Sequence, residues 1–274
     1  MIIWRSAFHS KGAFFIYGDM QLTDTHTHLY YHAGTDELDG QINRCLDHHI
    51  DRLFLPNVDV KSIELIKRTV DAYPENCFPM LGLHPCSVQE DYLIELETIK
   101  SRLMDFKIYA IGEIGLDLHW DKTTLLLQED AFRIQVEWAK ELNLPIVIHC
   151  REAFDELFRL LDELNDDRLR GIFHCFTGSL SQAQQAIDYG FYLGIGGVVT
   201  YKKSGLDAVV SEIDLDHIVL ETDSPYLSPV PFRGKPNESS YLRFVAEKVA
   251  DLHHVSVEEV AQITTRNSAR VFGV

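Results

Sequence analysis

The sequence predicts an α/β protein, a single-domain TIM (β/α)8 barrel. Three observations support this. Strand-like and helix-like segments alternate roughly every 25–35 residues, as in repeated βαβ units. Several strand-like segments are continuous apolar runs, such as Ile146-Val147-Ile148, which suits parallel strands buried on both faces. The length of 274 residues fits one barrel, a fold that typically runs to about 250 residues. A doubly wound open sheet is the competing architecture. No internal repeat, low-complexity tract or linker divides the chain.

Residues 1–19 differ from the rest. Their one apolar cluster, Ala13-Phe14-Phe15-Ile16-Tyr17, is too short for the core of a signal peptide. Met20 lies just before the first strand, so residues 1–19 are read as an N-terminal extension and 20–274 as the barrel. The eight predicted strands cover 22–28, 52–58, 78–84, 109–117, 145–151, 171–176, 191–197 and 217–223. Segments 123–142, 154–164 and 182–189 space their apolar residues for helices, and Gly190 stops the last of these. Ser256-Val257-Glu258-Glu259 reads as a capping box that opens a final helix toward Phe272.

Composition narrows the function. Hydrophobic residues make up 46% of the chain, enough for a sizeable core, and no apolar run reaches the roughly 18–20 residues that span a bilayer. The five cysteines are odd in number and form no CxxC, which points to a reducing, cytoplasmic setting. Cys150 and Cys175 each follow a histidine and are expected to face the covering helices as packing residues. The net charge of −17 opposes a broad electrostatic grip on nucleic acid. Any such substrate must be held locally, by metal ions and a few cationic side chains.

The chemistry gathers at predicted strand ends. In Asp24-Thr25-His26-Thr27-His28, period-two alternation turns Asp24, His26 and His28 to one side. Adjacent imidazoles suit a divalent metal ion with nitrogen ligands at roughly 2.0–2.1 Å. His84 ends the third predicted strand, Glu113 and Asp117 stand in the fourth, and His149 and Arg151 end the fifth. His174 lies near the end of the sixth, and Glu221 and Asp223 end the eighth. In a barrel these ends share one rim, where active sites of this fold lie. Glu113, flanked by Gly112 and Gly115, is placed to bridge two ions. His26, His28 and Asp223 would serve one ion and His149 and His174 the other. Two ions about 3.5–4 Å apart suit in-line phosphoryl displacement and other hydrolyses.

The stretches DTHTHL, GLHP, GEIGLDLHW, PIVIHCREA, GIFHCFTGS, LGIGG, LETDSPYL and RGKPNE, in this order, resemble the TatD family of metal-dependent deoxyribonucleases, within the amidohydrolase superfamily. The resemblance runs from Met20 to the C-terminus. It implies a TIM barrel that hydrolyses DNA with divalent metal, often as a 3′→5′ exonuclease. It places the first metal on His26, His28, Glu113 and Asp223, and the second on Glu113, His149 and His174. It makes His84 and Glu221 active-site residues. The chain departs at Leu118-His119-Trp120, where the family often has tyrosine, and at Cys150, where it often has serine.

Asp223 is then the expected general base for the attacking water as well as a ligand, and Glu221 the residue that orients a ligand. Arg151, Arg233 and Lys235 are the expected phosphate contacts, and Trp120 and Tyr226 are candidates to stack on a base. The expected cofactors are two divalent ions, Mg²⁺, Zn²⁺ or Mn²⁺, and the expected partner is DNA, single-stranded or at 3′ ends. No membrane and no obligate protein partner is expected. The competing activity is a binuclear hydrolase of a small amide, lactone or phosphoester. Such enzymes commonly bridge their metals with a carboxylated lysine on strand 4, and no lysine lies between Tyr109 and Asp117. A metal-stabilised binding protein without catalysis is the third reading.

Overall fold

Eight parallel strands form the ring that positions everything else: β1 (Leu22–Asp24), β2 (Ile50–Pro56), β3 (Cys77–Met80), β4 (Ile111–Asp117), β5 (Ile146–Arg151), β6 (Gly171–Phe173), β7 (Phe191–Ile195) and β8 (Ile218–Leu220). The computed structural model describes residues 20–274, and the expected extension, 1–19, lies outside them. Strands β1 to β3 pair as one parallel set and β4 to β8 as another. Backbone bonds close both seams. Between β3 and β4, Gly112 N–H donates to the Leu81 carbonyl at 3.0 Å. Between β8 and β1, Thr25 N–H donates to Leu220 at 3.0 Å and Asp223 N–H to His26 at 2.9 Å. The expected barrel therefore closes, and the open sheet is excluded.

Helices α1 (Asp36–Asp47), α2 (Ser62–Ala72), α3 (Tyr92–Arg102), α4 (Leu125–Leu142), α5 (Phe154–Leu164), α6 (Leu180–Asp188), α7 (Leu206–Val210), α8 (Leu242–His253) and α9 (Val257–Phe272) follow the strands. In α5, Leu157, Phe158, Leu160 and Leu161 are all buried, the inner stripe that apolar helical spacing demands. Helix α6 starts two residues before the predicted 182, because Ser179 and Gln182 form a capping box there. Ser256 caps α9 by accepting from Glu259 N–H at 3.1 Å. The reciprocal glutamate bond is not made. Among the described residues no helix is long and apolar enough to cross a membrane.

Inside the ring, Phe54, Phe78, Met80, Val147, Ile172 and Val219 pack with Val271 and Phe272 of α9. Phe272 stacks on Phe54 with ring centroids 3.9 Å apart. This apolar plug fills the end where Tyr109 precedes β4, and leaves the strand C-termini free to carry polar groups.

The register between β4 and β5 shifts at Glu113. Gly112 pairs with Val147 and Ile114 with Ile148, so Glu113 is left over as a bulge, a device that re-aims a side chain. The flanking glycines serve the neighbouring strand. A Cβ on Gly112 would lie 2.8 Å from Val147 Cβ, and one on Gly115 (φ +145°) would lie 1.9 Å from the His149 carbonyl oxygen. The room expected beside an ion is thus taken by β5. Gly115→Ala is expected to lower the free energy of unfolding by about 3 kcal/mol or more in urea denaturation, and a loss below about 1 kcal/mol would mean that β5 yields.

Candidate metal centre

Glu113 stands at the centre, 2% exposed. Its two carboxylate oxygens face different neighbours. Oε1 lies 2.8 Å from His149 Nδ1, 3.3 Å from His84 Nε2 and 3.4 Å from His174 Nε2. Oε2 lies 3.1 Å from His26 Nε2 and 4.0 Å from His28 Nε2. Asp223 Oδ1 completes the second side, 3.4 Å from His28 Nε2 and 3.9 Å from His26 Nε2. The six expected ligands, in or just after five strands, converge on one rim.

Several of these histidines have their other ring nitrogen held by a neighbour, which fixes ring orientation. His28 Nδ1 and the Tyr30 hydroxyl share a hydrogen bond of 2.8 Å. His149 Nε2–H donates to Asp117 Oδ2 at 2.9 Å. His174 Nδ1 lies 3.0 Å from Glu221 Oε1, which also accepts from Cys175 N–H at 2.6 Å. Glu221 therefore lies beside the His174 ring, although the two atoms make no aligned hydrogen bond. Sequence reasoning gave no role to Tyr30 or Asp117. The available signals were a carboxylate at the end of the strand beside that of His149, and a tyrosine two residues after His28. Gly194 makes room for Glu221: a Cβ there would lie 2.3 Å from Glu221 Oε2.

Electrostatics follow the geometry. Burial would raise the Glu113 pKa, but the imidazoles of His84, His26, His174 and His149 hold it well below the usual carboxylate range. Burial would likewise raise Asp223, yet the His28 bond and the charges of His174, His28 and His26 hold it down. His174 goes the other way: burial would lower it, but Glu221, Glu113 and Asp223 push it up to about 10. Burial, reinforced by His174, lowers His26.

The residues fit a metal ion. Both ring nitrogens of the fully buried His26 lack a hydrogen-bond partner, although Nε2 is in contact with Glu113 Oε2. An orphaned imidazole nitrogen beside a misaligned carboxylate is costly unless a third party, to which both can bind, lies between them. Ligand atoms within 4.8 Å of one another occur in the sets His26–His28–Glu113, His26–His174–Asp223, His84–Glu113–His149 and His174–Cys175–Glu221. The nitrogen–carboxylate mixture is one that divalent transition metals favour.

Other expectations are corrected. Asp24 does not join the histidines. Its carboxylate accepts from Thr222 N–H at 2.9 Å and from Thr222 Oγ1–H at 2.6 Å, and burial pushes its pKa up to about 7. His84, expected in the active site, stands beside Glu113, its Nε2 also 3.3 Å from His149 Nδ1. Cys150 and Cys175, expected under the helices, line the cavity over the cluster, as does Cys86. That cavity measures about 720 Å³ and is also lined by Arg151, Trp120, Tyr31, Tyr226 and Leu227. Arg151 reaches it as expected and lies over Trp120, 5.5 Å from the ring centroid. Arg233 and Lys235 do not line it. Arg233 is held 3.8 Å over the Tyr201 ring in an adjoining pocket. Asn237 of the same loop donates to the Thr222 and Tyr226 carbonyls at 2.8 and 2.7 Å, and so pins the loop to the segment after β8.

The profile of the family described as TatD related DNase matches residues 23–273. The uncharacterized metal-dependent hydrolase YabD of Bacillus subtilis is 39% identical over 254 residues, covering 92% of this chain and 99% of its own. The uncharacterized metal-dependent hydrolase YcfH of Escherichia coli is 33% identical over 267 residues, covering 93% of this chain and 97% of its own. The crystal structure of YjjV, a TatD homologue from Escherichia coli, superposes with a TM-score of 0.87 at 28% identity, covering 93% and 99% of the two chains.

Proposed function

This chain belongs to the TatD family of metal-dependent hydrolases, and on that premise we propose that it is a deoxyribonuclease that hydrolyses DNA phosphodiester bonds at single-stranded or 3′ ends with two divalent ions. The observation that carries this reading is the division of Glu113: Oε1 faces His84, His149 and His174, while Oε2 faces His26 and His28. One carboxylate between two nitrogen sets is what a shared ligand requires. Bound divalent ions lower the pKa of water toward about 7 and offset charge on phosphoryl oxygens.

The remaining work falls to the chain. Asp223, kept ionised by its histidine neighbours, accepts the proton of the attacking water. Glu221, Asp117 and Tyr30 hold the rings of His174, His149 and His28 in place. Arg151 at the cavity wall binds the phosphate, for which a guanidinium is suited. Trp120, 73% exposed, and Tyr226, 50% exposed, both line the cavity and offer faces for an unpaired base. All five cysteines are free thiols, which supports the cytoplasmic setting expected from the sequence.

A second reading, hydrolysis of a small lactone, amide or phosphoester, draws on the net charge of −17. Metal-titrated digestion of 3′- and 5′-labelled single- and double-stranded oligonucleotides separates the two. Release of nucleotides from 3′ ends is expected, abolished by EDTA and restored by added metal. Turnover of lactones or amides by metal-loaded protein that leaves every oligonucleotide intact would establish the second reading.

A further inference from the structure

Beside the main cavity lies a smaller pocket of about 450 Å³, lined by Tyr201, Lys202, Lys203, Ser204, Val230 and Arg233. Three of its six lining residues are cations and none is acidic, in a chain whose net charge is −17. The pocket is braced. The Tyr201 hydroxyl donates to the Ser228 carbonyl at 2.9 Å, and the Arg233 guanidinium rests 3.8 Å over the Tyr201 ring. Val230 N–H donates to Thr200 Oγ1 at 2.9 Å, which ties the two lining segments together.

The same two segments line both pockets. Val198 and Leu227 line the main cavity, and Tyr201 and Val230, three residues further along each segment, line the cationic pocket. Three residues span at most roughly 10–11 Å. A nucleic-acid strand covers the step from one lining to the other in about three nucleotides or fewer, given a rise of 3.4 Å per nucleotide even when stacked in a duplex.

We propose that this pocket is a second phosphate subsite, which holds the backbone of a neighbouring nucleotide while the scissile phosphate sits at the metal cluster. The inference rests on the nuclease reading and deepens it: the substrate is an oligonucleotide strand with at least two phosphates engaged, not a mononucleotide or small phosphoester. The pocket also accounts for Arg233, which the main cavity does not use. A local cationic site is the form that nucleic-acid binding takes on an acidic surface, where a broad positive face is lacking.

The test compares wild type with Lys202→Ala/Lys203→Ala on two substrates: a short 3′-labelled single-stranded oligonucleotide and bis(p-nitrophenyl) phosphate, which has one phosphate. The variant is expected to lose on the order of tenfold in kcat/KM on the oligonucleotide relative to the small diester, mostly through KM. Its dependence of log KM on log salt is expected to flatten by about 1.4, the share of two phosphate contacts on a single strand. Lys202→Arg/Lys203→Arg is expected to restore both. Equal losses on the two substrates, or an unchanged salt slope, would overturn the subsite. Fluorescence anisotropy of the labelled strand reads the pocket without turnover. Wild type that binds the strand more tightly than the alanine variant yet cleaves nothing would overturn the nuclease reading and leave the subsite standing; equal binding by both proteins would overturn the subsite.

Discussion

Glu113→Gln is expected to lower kcat on the order of 10³-fold or more, since each tenfold corresponds to about 1.4 kcal/mol and the charge stabilisation supplied by a metal centre is worth several. Glutamine keeps the length and bulk of the side chain. It removes the negative charge that answers His84, His26 and His174, and it turns one oxygen into an N–H₂ donor aimed at imidazole nitrogens 2.8–3.4 Å away. Neither half of the cluster then has its shared carboxylate. Metal content measured on the purified variant is expected to fall together with kcat. The fold is expected to survive, because the apolar plug of Phe54, Phe78, Val147 and Phe272 does not include this residue. Far-UV circular dichroism checks that point. Wild-type turnover with a full complement of metal would remove Glu113 from the centre of the mechanism.

The barrel was legible because its strands are apolar on both faces, so runs such as Ile146-Val147-Ile148 stand out without an alignment. The convergence of the histidines and carboxylates was legible because they cluster at strand ends, and position along a strand can be read from sequence. Orientation was harder wherever the backbone leaves the strand. Regular pairing of β1 stops at Asp24, and Thr222 captures the Asp24 carboxylate, so extending the alternation backward from His26 misplaced that side chain. Cys175 has φ +46°, a left-handed turn immediately after His174, and alternation that would have sent its thiol outward no longer applies. The bulge at Glu113 depends on register against β5, a relation between residues about thirty-five positions apart that no local pattern encodes. The placement of Arg233 and Lys235 away from the main cavity has a related cause. Their loop is aimed by Asn237, whose amide binds two carbonyls of the segment after β8, and nothing in RGKPNE announces that anchor.

Asp223→Asn is the second large effect expected, a fall in kcat of about 10²–10⁴-fold, the usual range for loss of a positioned general base. Asparagine retains a carbonyl oxygen at the ligand position but cannot take up a proton. The two roles of Asp223 therefore separate. If it accepts the proton, the variant holds its metal and loses kcat, and excess metal restores nothing. If it only ligates, metal content and kcat fall in step, and both recover as metal is raised. Glu221 cannot stand in for it. That carboxylate is wholly buried, with Oε1 occupied by His174 Nδ1 and the Cys175 N–H, whereas the Asp223 side chain is 14% exposed and lines the cavity. The left-handed backbone at Asp223, φ +56°, accompanies this difference: two residues that strict alternation would leave pointing alike end in different settings, one buried against a histidine and one open to the cavity.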